Sequence, residues 1–408
     1  MALRHNEILV GLDVGSTKIS AIVGELCSDG VNIIGIGNHA SKGVSKGMLV
    51  NIDAAAEVIQ KAIEDAEVMS GCDISNVLMS ITGGHIKGIN SEGLAGVKQQ
   101  EVDDADIAQA IESAKAVAIP NDREFLHVLP QEYILDGHTG IANPKGMAGV
   151  RLETRVHIVT GSVSCAQNLV KCANRCKLEV SDIIFSGLAS SEAVLSPDEK
   201  ELGCAVIDLG GGCTDIAVWA KGSIVHTASL SLGANLLTTD IGAGLHIPLA
   251  EAERLKLNSG CAMVSAVGPD EIIHVPNVGG REPRKLPKRV IADIIETRLE
   301  EIFSFAFREI DNSGYRDKIP SGIVLTGGAA IMDAAPELCG RVTGLPVRRG
   351  IPIGVGGMSD LVRLPKSATA VGLLLQATRH ADLRLFKPKE SKGVSLRERL
   401  VSWLKEII

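Results

Sequence analysis

Two short stretches of this sequence combine glycine, hydroxyl and acidic residues in a way that suits phosphate chemistry. Residues 13–18 read DVGSTK and residues 208–215 read DLGGGCTD, and each lies between apolar segments rich in β-branched residues. That arrangement predicts a β-hairpin with a tight turn. A turn without side chains lets backbone N–H groups converge on an anion, while hydroxyls and a lysine add donors. The predicted phosphate-binding residues are Gly15, Ser16, Thr17, Lys18, Gly210, Gly211, Gly212 and Thr214.

The two stretches are more informative together than apart. One glycine-rich hairpin by itself most often only reverses the chain. Here Asp13 and Asp208 are matched, with about half the chain between them, which indicates a duplicated domain. These aspartates and Asp215 would repel a phosphate unless a cation lies between them, and Mg²⁺ tolerates carboxylates beyond its bound water. The sequence therefore predicts two facing turns around a magnesium-nucleotide polyphosphate, with Asp13, Asp208 and Asp215 facing the metal.

A third segment has the features of a site for a flat ligand. Residues 321–339 form an apolar strand that runs into the pair Gly327-Gly328 and then into a helix beginning near Ala330. A glycine pair at a strand end lets a purine and its ribose approach the backbone closely. A plain strand–helix turn has the same pattern, so this segment supports the phosphate prediction without proving it.

Composition excludes several classes of protein. A length of 408 residues with 45% hydrophobic residues predicts two or more packed domains. The nine cysteines form no CxxC pair, which favours free thiols over a disulfide framework or a zinc site. A formal charge of −8 argues against nucleic-acid binding. No apolar run approaches the roughly 18 residues of a membrane span, and the first residues lack a secretory pattern.

Two segments interrupt the duplicated pattern. Residues 84–162 contain strand-like stretches around a predicted helix at 103–118, which indicates an inserted α+β subdomain. Residues 228–305 include the basic run 281–289, for which a solvated loop and a binding surface are equally plausible interpretations. A helix is predicted over 290–310 after that run.

The last stretch, residues 395–408, has an amphipathic helical pattern. Such a helix is about 21 Å long, too short to span a bilayer, and it follows a polar linker at 386–394. One alternative is that this helix docks on its own protein. The polar linker before it favours instead a helix that lies in the interface of an anionic membrane. Its predicted membrane-binding residues are Leu396, Leu400, Trp403, Leu404 and Ile407.

Taken as a set, these motifs resemble those of the superfamily of actin, heat-shock chaperones and sugar kinases. The two hairpins, the 321–339 segment and the predicted helices at 185–195 and 366–377 match its five motifs. The stretches 229–256 and 288–305, with the terminal helix, are similar to the FtsA family of bacterial cell-division proteins. The resemblance covers nearly the whole chain.

The resemblance implies an α/β, actin-like (ribonuclease H-like) fold, in which duplicated domains surround a nucleotide cleft. The inserted α+β unit corresponds to the family's subdomain 1C. The implied bounds are 1–83 and 163–200 for subdomain 1A, 84–162 for 1C, 201–227 and 306–385 for 2A, 228–305 for 2B, 386–394 for the linker and 395–408 for the membrane-targeting helix.

The resemblance also implies which residues hold ATP and Mg²⁺. Beyond the two turns, Gly327, Gly328 and Ala329 border the adenosine. Glu253 and Lys256, which on sequence alone form an ordinary surface ion pair, approach adenine or ribose. The remaining implied neighbour of the nucleotide is Gly233.

The implied function is structural. A member of this family polymerises and tethers filaments of the tubulin-like protein FtsZ to the cytoplasmic face of the inner membrane at the division site. It recruits later division proteins through subdomain 1C. We expect Arg289, Arg298 and Glu301 to contact the C-terminal peptide of FtsZ.

Two departures from the superfamily pattern bear on catalysis. Ser186 and Gly187 stand where relatives that hydrolyse ATP quickly carry a carboxylate before a proline, and Cys213 replaces a hydroxyl residue. Serine is a poor base for an attacking water, so we predict ATP binding with at most slow hydrolysis and assign no catalytic residue. A small-molecule kinase and an ATP-binding protein of pilus assembly remain the alternative functions.

Overall fold

The chain begins with a strand meander that carries the first glycine turn. The computed structural model describes residues 7–28, 30–276 and 283–379. The first two strands are almost continuously apolar because both faces of their sheet are covered. The elements of this part are β1 (Ile8–Val14), β2 (Lys18–Cys27), β3 (Gly30–Ala40), β4 (Val44–Ser45), β5 (Met48–Leu49), α1 (Ile52–Ser70) and β6 (Asn76–Ile81).

An antiparallel unit follows, and the chain then returns to the first sheet. Asp103 caps the first helix of this unit in a capping box with Asp106, which fixes where the helix begins. The elements are β7 (Lys87–Gly96), α2 (Asp104–Ala114), β8 (Arg123–Leu135), β9 (His138–Ile141), β10 (Arg151–Ser162), α3 (Val163–Arg175), β11 (Glu179–Phe185), α4 (Ser186–Val194) and α5 (Pro197–Leu202).

The second half opens with another strand meander, which carries the second glycine turn. Its longest helix buries one stripe, including Ile291, Ile295, Leu299 and Ile302, at the spacing of an amphipathic helix. The elements are β12 (Cys204–Leu209), β13 (Thr214–Ala220), β14 (Ser223–Leu230), α6 (Asn235–Leu245), α7 (Leu249–Ser259), β15 (Ile272–Val275), β16 (Arg284–Pro287), α8 (Lys288–Asn312), β17 (Ile323–Thr326), α9 (Ala335–Thr343), β18 (Val347–Arg349), β19 (Val355–Gly357) and α10 (Ala368–Arg379).

The two halves repeat one sheet topology. In the first, β1, β2 and β3 are antiparallel, and β6 and β11 follow in parallel on the other side of β1. In the second, β12, β13 and β14 are antiparallel, and β17 and β18 follow in parallel beside β12. The register places Asp13 and Asp208 next to the turns of the equivalent hairpins β1–β2 and β12–β13. This repeat agrees with the predicted duplicated domain.

Some helix ends differ from the sequence-based predictions. The helix predicted over 103–118 ends at Ala114, where backbone bonds from Lys115 N to the Glu112 carbonyl and from Ala116 N to the Ser113 carbonyl tighten the last turn. The helix predicted near Ala330 begins later. A short 3₁₀ turn spans Gly328–Ile331, and α9 starts at Ala335 with Pro336 in its first turn.

Two helices cross between the halves. Helix α4 packs against β12 and β13, and α10 packs against β1, β2 and α4. At the crossing, Gly372 faces the backbone of Ala189 so closely that a Cβ atom on Gly372 would overlap the Ala189 carbonyl oxygen. Both residues are in fully buried stretches. The distance between the two halves therefore depends on having glycine, which has no side chain, at position 372.

The antiparallel unit joins the sheet of the second half through one bridge, Ala228 to Lys87. A buried polar contact reinforces this junction. His157 Nδ1 lies 2.7 Å from Asn90 Oδ1, and His157 Nε2 lies 2.8 Å from Thr227 Oγ1. Because the amide oxygen only accepts, Nδ1 donates. Burial lowers the pKa of His157, so the ring is neutral and Nε2 accepts from the Thr227 hydroxyl.

Among the helices in the described part of the chain, none is both long enough and apolar enough to cross a membrane.

The helix crossing leads to a stability prediction. Replacing a helical glycine with alanine normally stabilises a protein by roughly 0.5–1 kcal/mol. Gly372→Ala should instead lower the free energy of unfolding by about 1–3 kcal/mol, because the new methyl group meets backbone atoms. Denaturant unfolding of the nucleotide-free protein measures this.

Gly340→Ala is the matched control for this change. It also adds a methyl group to a helix, but the nearest atoms lie at 3.4 Å and 3.7 Å, which is ordinary contact. We expect no loss of stability for this variant. Equal effects of the two substitutions would contradict the close crossing of α4 and α10.

The junction histidine leads to a prediction about pH. Burial, together with the nearby His226 and His127, lowers the pKa of His157 from 6.5 to about 3. The unfolded chain therefore binds a proton below pH 6.5 that the folded protein excludes, so stability falls as the pH drops through that value. Between pH 7 and pH 5 this costs roughly 2 kcal/mol.

His157→Gln removes that titration. We expect the variant to be less stable than the parent at pH 7, with the gap narrowing by roughly 2 kcal/mol at pH 5. Urea unfolding at both pH values measures the gap. A gap that stays constant would show that His157 is protonated in the folded protein.

Candidate functional site

A cavity of about 670 Å³ opens between the two halves, at the ends of their strands. This volume lies in the range of small-molecule sites. Its walls come from the β1–β2 and β12–β13 turns, the ends of β6 and β17, helix α7, and the starts of α4 and α10. The sequence motifs that predicted a ligand site therefore come from distant parts of the chain and meet in one place.

The two glycine turns face each other and touch at the edge of this cavity. Each is closed by one backbone hydrogen bond of 3.0 Å, from Gly15 N to the Lys18 carbonyl and from Gly210 N to the Cys213 carbonyl. A Cβ atom on the second turn would overlap the first, at Gly211 against Thr17 and at Gly212 against Ser16. Glycine is required there because the turns touch. The lining includes the predicted residues Gly15, Ser16, Thr17, Lys18, Gly210, Gly211 and Gly212.

Thr214 and Gly233 support the second turn from behind and are not among the cavity-lining residues. The Thr214 hydroxyl donates to the Leu232 carbonyl at 2.7 Å. A Cβ atom on Gly233 would lie 2.6 Å from the Gly211 carbonyl oxygen, so a side chain would displace the turn. Asn235 N then donates to that same carbonyl at 2.8 Å. The start of α6 thus fixes the turn in place.

Two of the predicted metal-facing carboxylates are held by hydroxyl groups. Ser80 Oγ donates to Asp13 Oδ1 at 2.8 Å, and Thr369 Oγ1 donates to Asp208 Oδ2 at 3.0 Å. Burial raises the pKa of Asp13, and burial together with the Asp13 charge raises the pKa of Asp208 to about 6. Both carboxyl groups are therefore costly to ionise without a compensating positive charge.

Asp215, the third of these carboxylates, accepts two hydroxyls from different halves of the molecule. Thr82 Oγ1 lies 2.6 and 2.7 Å from its two oxygens, and Ser229 Oγ lies 2.5 Å from Oδ1. Burial and the charge of Asp208 raise the pKa of Asp215 to about 7. The Thr82 bond crosses from the end of β6 to β13, so this carboxylate ties the two halves together.

Lys18 is the cation closest to these acids on the first turn. Its Nζ donates to the Lys366 carbonyl at 2.8 Å. Burial lowers the pKa of Lys18, and the charges of Asp13 and Asp208 oppose that effect. The charge of Lys366 also lowers the pKa of Lys18, so three acids lie near two lysines in this part of the cavity. Such a donor set fits a hydrated divalent cation that supplies the missing positive charge.

Direct ligation of a metal ion is not expected here. Within residues 7–28, 30–276 and 283–379, no three side chains of His, Cys, Asp or Glu are grouped closely enough to hold one. The carboxylates fit the predicted role of contacts to the water around Mg²⁺.

A second set of predicted residues lines the same cavity. Glu253 and Lys256 form an ion pair of 2.7 Å, and Lys256 Nζ also donates to Thr238 Oγ1 at 2.9 Å. Gly327, at φ 90°, passes so close to the Asp208 carboxylate that no side chain fits. Gly328 faces open space within the lining, and Ala329 is next to it. These residues, all predicted, form a wall suited to a flat ligand.

The two departures from the superfamily pattern are both at the cavity. Ser186 Oγ donates to the Ile81 carbonyl at 3.2 Å, so its hydroxyl is engaged by the protein. Burial, with the charge of Asp215, raises the pKa of the Cys213 thiol to about 12. Neither group is a base near neutral pH.

Sequence reasoning missed several lining residues, Thr82 among them. A signal for Thr82 was present, because residues 82–84 and 326–328 both read TGG after a strand. These strands, β6 and β17, hold equivalent places beside β1 and β12. The other missed lining residues include Asn235, Ser259, Lys288, Asp333, Lys366 and Thr369.

The structure separates the three residues predicted to contact a protein partner. Arg298 forms a two-point ion pair with Asp240, at 2.6 and 3.2 Å, and also pairs with Glu301. Arg289 lies nine residues earlier, half a turn out of phase on α8, and donates to the Val267 carbonyl at 3.2 and 3.3 Å. Arg298 and Glu301 therefore share a surface that Arg289 does not. The predicted membrane-binding residues lie outside the described residues.

Solved structures share this fold at low sequence identity. A PilM–PilN complex of type IV pilus biogenesis matches with a TM-score of 0.64 at 15% identity, over 91% of this chain and 98% of that one. MreB5 of Spiroplasma citri bound to ADP matches with a TM-score of 0.56 at 14% identity, over 93% and 98%. Identity this low shows the fold alone. The actin-like fold predicted from the motifs is confirmed.

Sequence comparisons are more specific. The family model "Cell division protein FtsA" matches residues 205–372, and the model "SHS2 domain inserted in FTSA" matches residues 83–160. The second match covers the antiparallel unit β7–β10.

Full-length relatives agree with both models. A cell division protein FtsA from Pseudomonas aeruginosa is 43% identical over 97% of this chain and 93% of its own length. One from Escherichia coli K12 is 39% identical over 98% of each, and one from Neisseria meningitidis is 45% identical over 89% and 88%. Because the similarity spans nearly the whole length of both partners, this chain belongs to the FtsA family of cell division proteins.

Proposed function

We propose that this protein binds ATP in its cleft, polymerises, and tethers FtsZ filaments to the cytoplasmic face of the inner membrane at the division site. The observation that carries the nucleotide part is the contact of two glycine turns beside a cavity whose lining includes Asp13, Asp208, Asp215 and Lys18. Family membership supports the role in division.

The nucleotide would lie with its phosphates between the two turns. The backbone N–H group of Gly211, with the hydroxyls of Ser16 and Thr17, is a natural donor to phosphate oxygens. Lys18 adds a positive charge on the same side. The adenosine would lie against Gly327, Gly328 and Ala329, with Glu253 and Lys256 near the ribose or adenine.

Mg²⁺ would be held through water by Asp13, Asp208 and Asp215. When bound, it neutralises phosphate charge. The residues around it fit that role because burial makes each carboxylate costly to ionise alone. With Mg²⁺ and the nucleotide bound, the charge of these carboxylates would therefore be compensated, whereas in the empty cleft it is not.

Hydrolysis of the bound nucleotide should be slow. The position at the start of α4 holds Ser186, whose hydroxyl donates to a backbone carbonyl, and Cys213 stays a neutral thiol. Without a carboxylate to orient water there, the protein would hold ATP for long periods. This suits a protein that acts by assembling.

Contact with the FtsZ C-terminal peptide would involve the surface of α8 and α6 that carries Arg298, Glu301 and Asp240. The Glu301 side chain is 47% exposed, so it remains accessible beside the Arg298–Asp240 pair. Arg289, on a different face, would contact a separate part of the partner. The antiparallel unit β7–β10 would recruit later division proteins.

Membrane attachment would come from residues 395–408. Each large apolar side chain contributes about 1 kcal/mol at the interface, and each basic residue near anionic lipid adds about 1 kcal/mol. Ordering of the helix subtracts from this sum, so one copy binds weakly. A polymer that presents many copies would bind far more tightly.

Gly328→Leu tests the nucleotide site without disturbing the fold. A Cβ atom at this position meets no other atom within 4 Å, so the variant should fold normally while its side chain occupies the adenosine end of the cavity. We expect the Kd for ATP to rise at least about tenfold with an unchanged Tm. Calorimetric titration measures the affinity.

Gly328→Ala is the graded control, since it adds one methyl group in the same open space. It should change the Kd less than about threefold. If the leucine variant binds ATP as tightly as the parent, the nucleotide does not bind against Gly328, and this part of the proposal is wrong.

Flotation with vesicles tests the tether. The full chain should float with vesicles of phosphatidylglycerol and phosphatidylethanolamine, and a chain ending at residue 394 should lose most of that binding. ATP should increase flotation of the full chain if polymers form, because avidity multiplies weak contacts.

A full-length chain with Leu400→Glu and Trp403→Glu separates the apolar stripe from the mere presence of a tail. It should behave like the truncated chain. Flotation that is the same for all three proteins would exclude the tether.

A further inference from the structure

A small hairpin packs behind the two glycine turns, outside the set of residues that line the cavity, and nothing above gives it a role. We name residues 41–50 the strap; they connect β3 to α1 and contain the short strands β4 and β5. Its two-residue tip is Lys46-Gly47, at φ 48° and φ 75°. Positive φ at both positions is typical of a type I′ hairpin turn, for which asparagine followed by glycine is the usual choice.

The strap tip touches both glycine turns and the end of β6. Gly47 N donates to Ser16 Oγ at 3.0 Å. A Cβ atom on Gly212 would lie 3.0 Å from Lys46 N, and a Cβ atom on Gly47 would lie 2.7 Å from the Thr82 carbonyl oxygen and 3.0 Å from Cys213 Sγ. The tip therefore fills the space where the first turn, the second turn and β6 meet.

The bond to Ser16 sets the direction of a hydroxyl that lines the cavity. Because Gly47 N–H donates to Ser16 Oγ, one lone pair of that oxygen is occupied by the strap. The hydroxyl hydrogen remains available to donate toward the cavity. Gly47 is thus a positioning residue for a group that faces the phosphates.

Lys46 is an unusual residue for its place. A lysine at positive φ carries a conformational cost that asparagine or glycine would avoid. Its charge reaches the second turn, where it lowers the pKa of the Cys213 thiol against the larger effect of burial. A strained position occupied by a cation next to an anion site is a candidate for function.

We propose that the strap tip supports the phosphate site from behind the turns, where Gly47 aims the Ser16 hydroxyl and Lys46 adds the positive charge that favours a nucleoside triphosphate over a diphosphate. This inference rests on the proposed nucleotide binding. The terminal phosphate would add negative charge next to the turns that the strap tip contacts. The diphosphate lacks that charge, so it gains less from Lys46.

Lys46→Asn tests the charge while keeping the turn. Asparagine accepts positive φ and gives the favoured Asn-Gly pair, so the Tm should be equal or higher. We expect the Kd for ATP to rise about tenfold and the Kd for ADP less than about threefold. Calorimetric titration of both nucleotides with Mg²⁺, on the full chain, gives the ratio of the two constants.

Two further variants serve as controls. Lys46→Arg keeps the charge and should restore the preference for ATP. Lys42→Asn removes an exposed lysine from the same strap, and it should leave both constants unchanged.

The outcomes separate this inference from the proposed function. If the parent protein binds neither nucleotide, the proposed function fails. If it binds both and Lys46→Asn keeps the parent's ratio of ATP to ADP affinity, the role of the strap is wrong while nucleotide binding stands. The same result follows if Lys42→Asn changes the ratio as much as Lys46→Asn.

Discussion

The closeness of the two halves is the constraint on which the rest of this structure depends. It is set at two points, each of which requires a residue without a side chain. Gly211 and Gly212 let the second turn rest against Thr17 and Ser16 of the first, and Gly372 lets helix α10 cross α4 at its backbone. At each point the backbone of a glycine lies directly against the residue that faces it, so the two halves cannot move closer together there. The width of the cavity between the halves follows from them.

The charged side chains of the cavity also affect how closely the two halves are held together. The carboxylates of Asp13, Asp208 and Asp215 are buried together, and hydroxyl groups stabilise them only in part. Lys18 compensates some of this charge. A ligand that brings a divalent cation would relieve the remaining cost, so loading of the cleft and closeness of the halves are coupled through electrostatics as well as through shape. The Thr82–Asp215 bond crosses between the halves and would respond to both.

The predictions from sequence were best for residues whose role is local. Glycine turns between β-strands, an aspartate before the turn and a glycine pair after a strand are all short-range signals, and they identified most of the cavity lining. Thr214 and Gly233 were predicted beside the ligand for the same reason, yet they lie behind the second turn. Their place depends on how α6 packs there, which no local pattern encodes.

The lining residues that the sequence motifs did not predict share a different property. Thr82 and Thr369 reach the cavity only because β6 and α10 are brought beside β1 and β12 by pairing and packing over long sequence distances. The strap is similar, since nothing in residues 41–50 alone indicates contact with Gly212. The repeat of TGG after β6 and β17 was the one available hint.

The sequence by itself determined the duplicated strand pattern, the two turns and the acidic residues beside them, because each follows from the residue types at a few neighbouring positions. It also determined the family, because the similarity extends over nearly the whole chain. Only the tertiary structure decided which hydroxyls hold the carboxylates, which face of α8 carries Arg298 rather than Arg289, and what packs behind the two turns. Those facts depend on contacts between segments tens to hundreds of residues apart. Such contacts are selected by the packing of whole sheets and helices, so they appear only when the chain is folded.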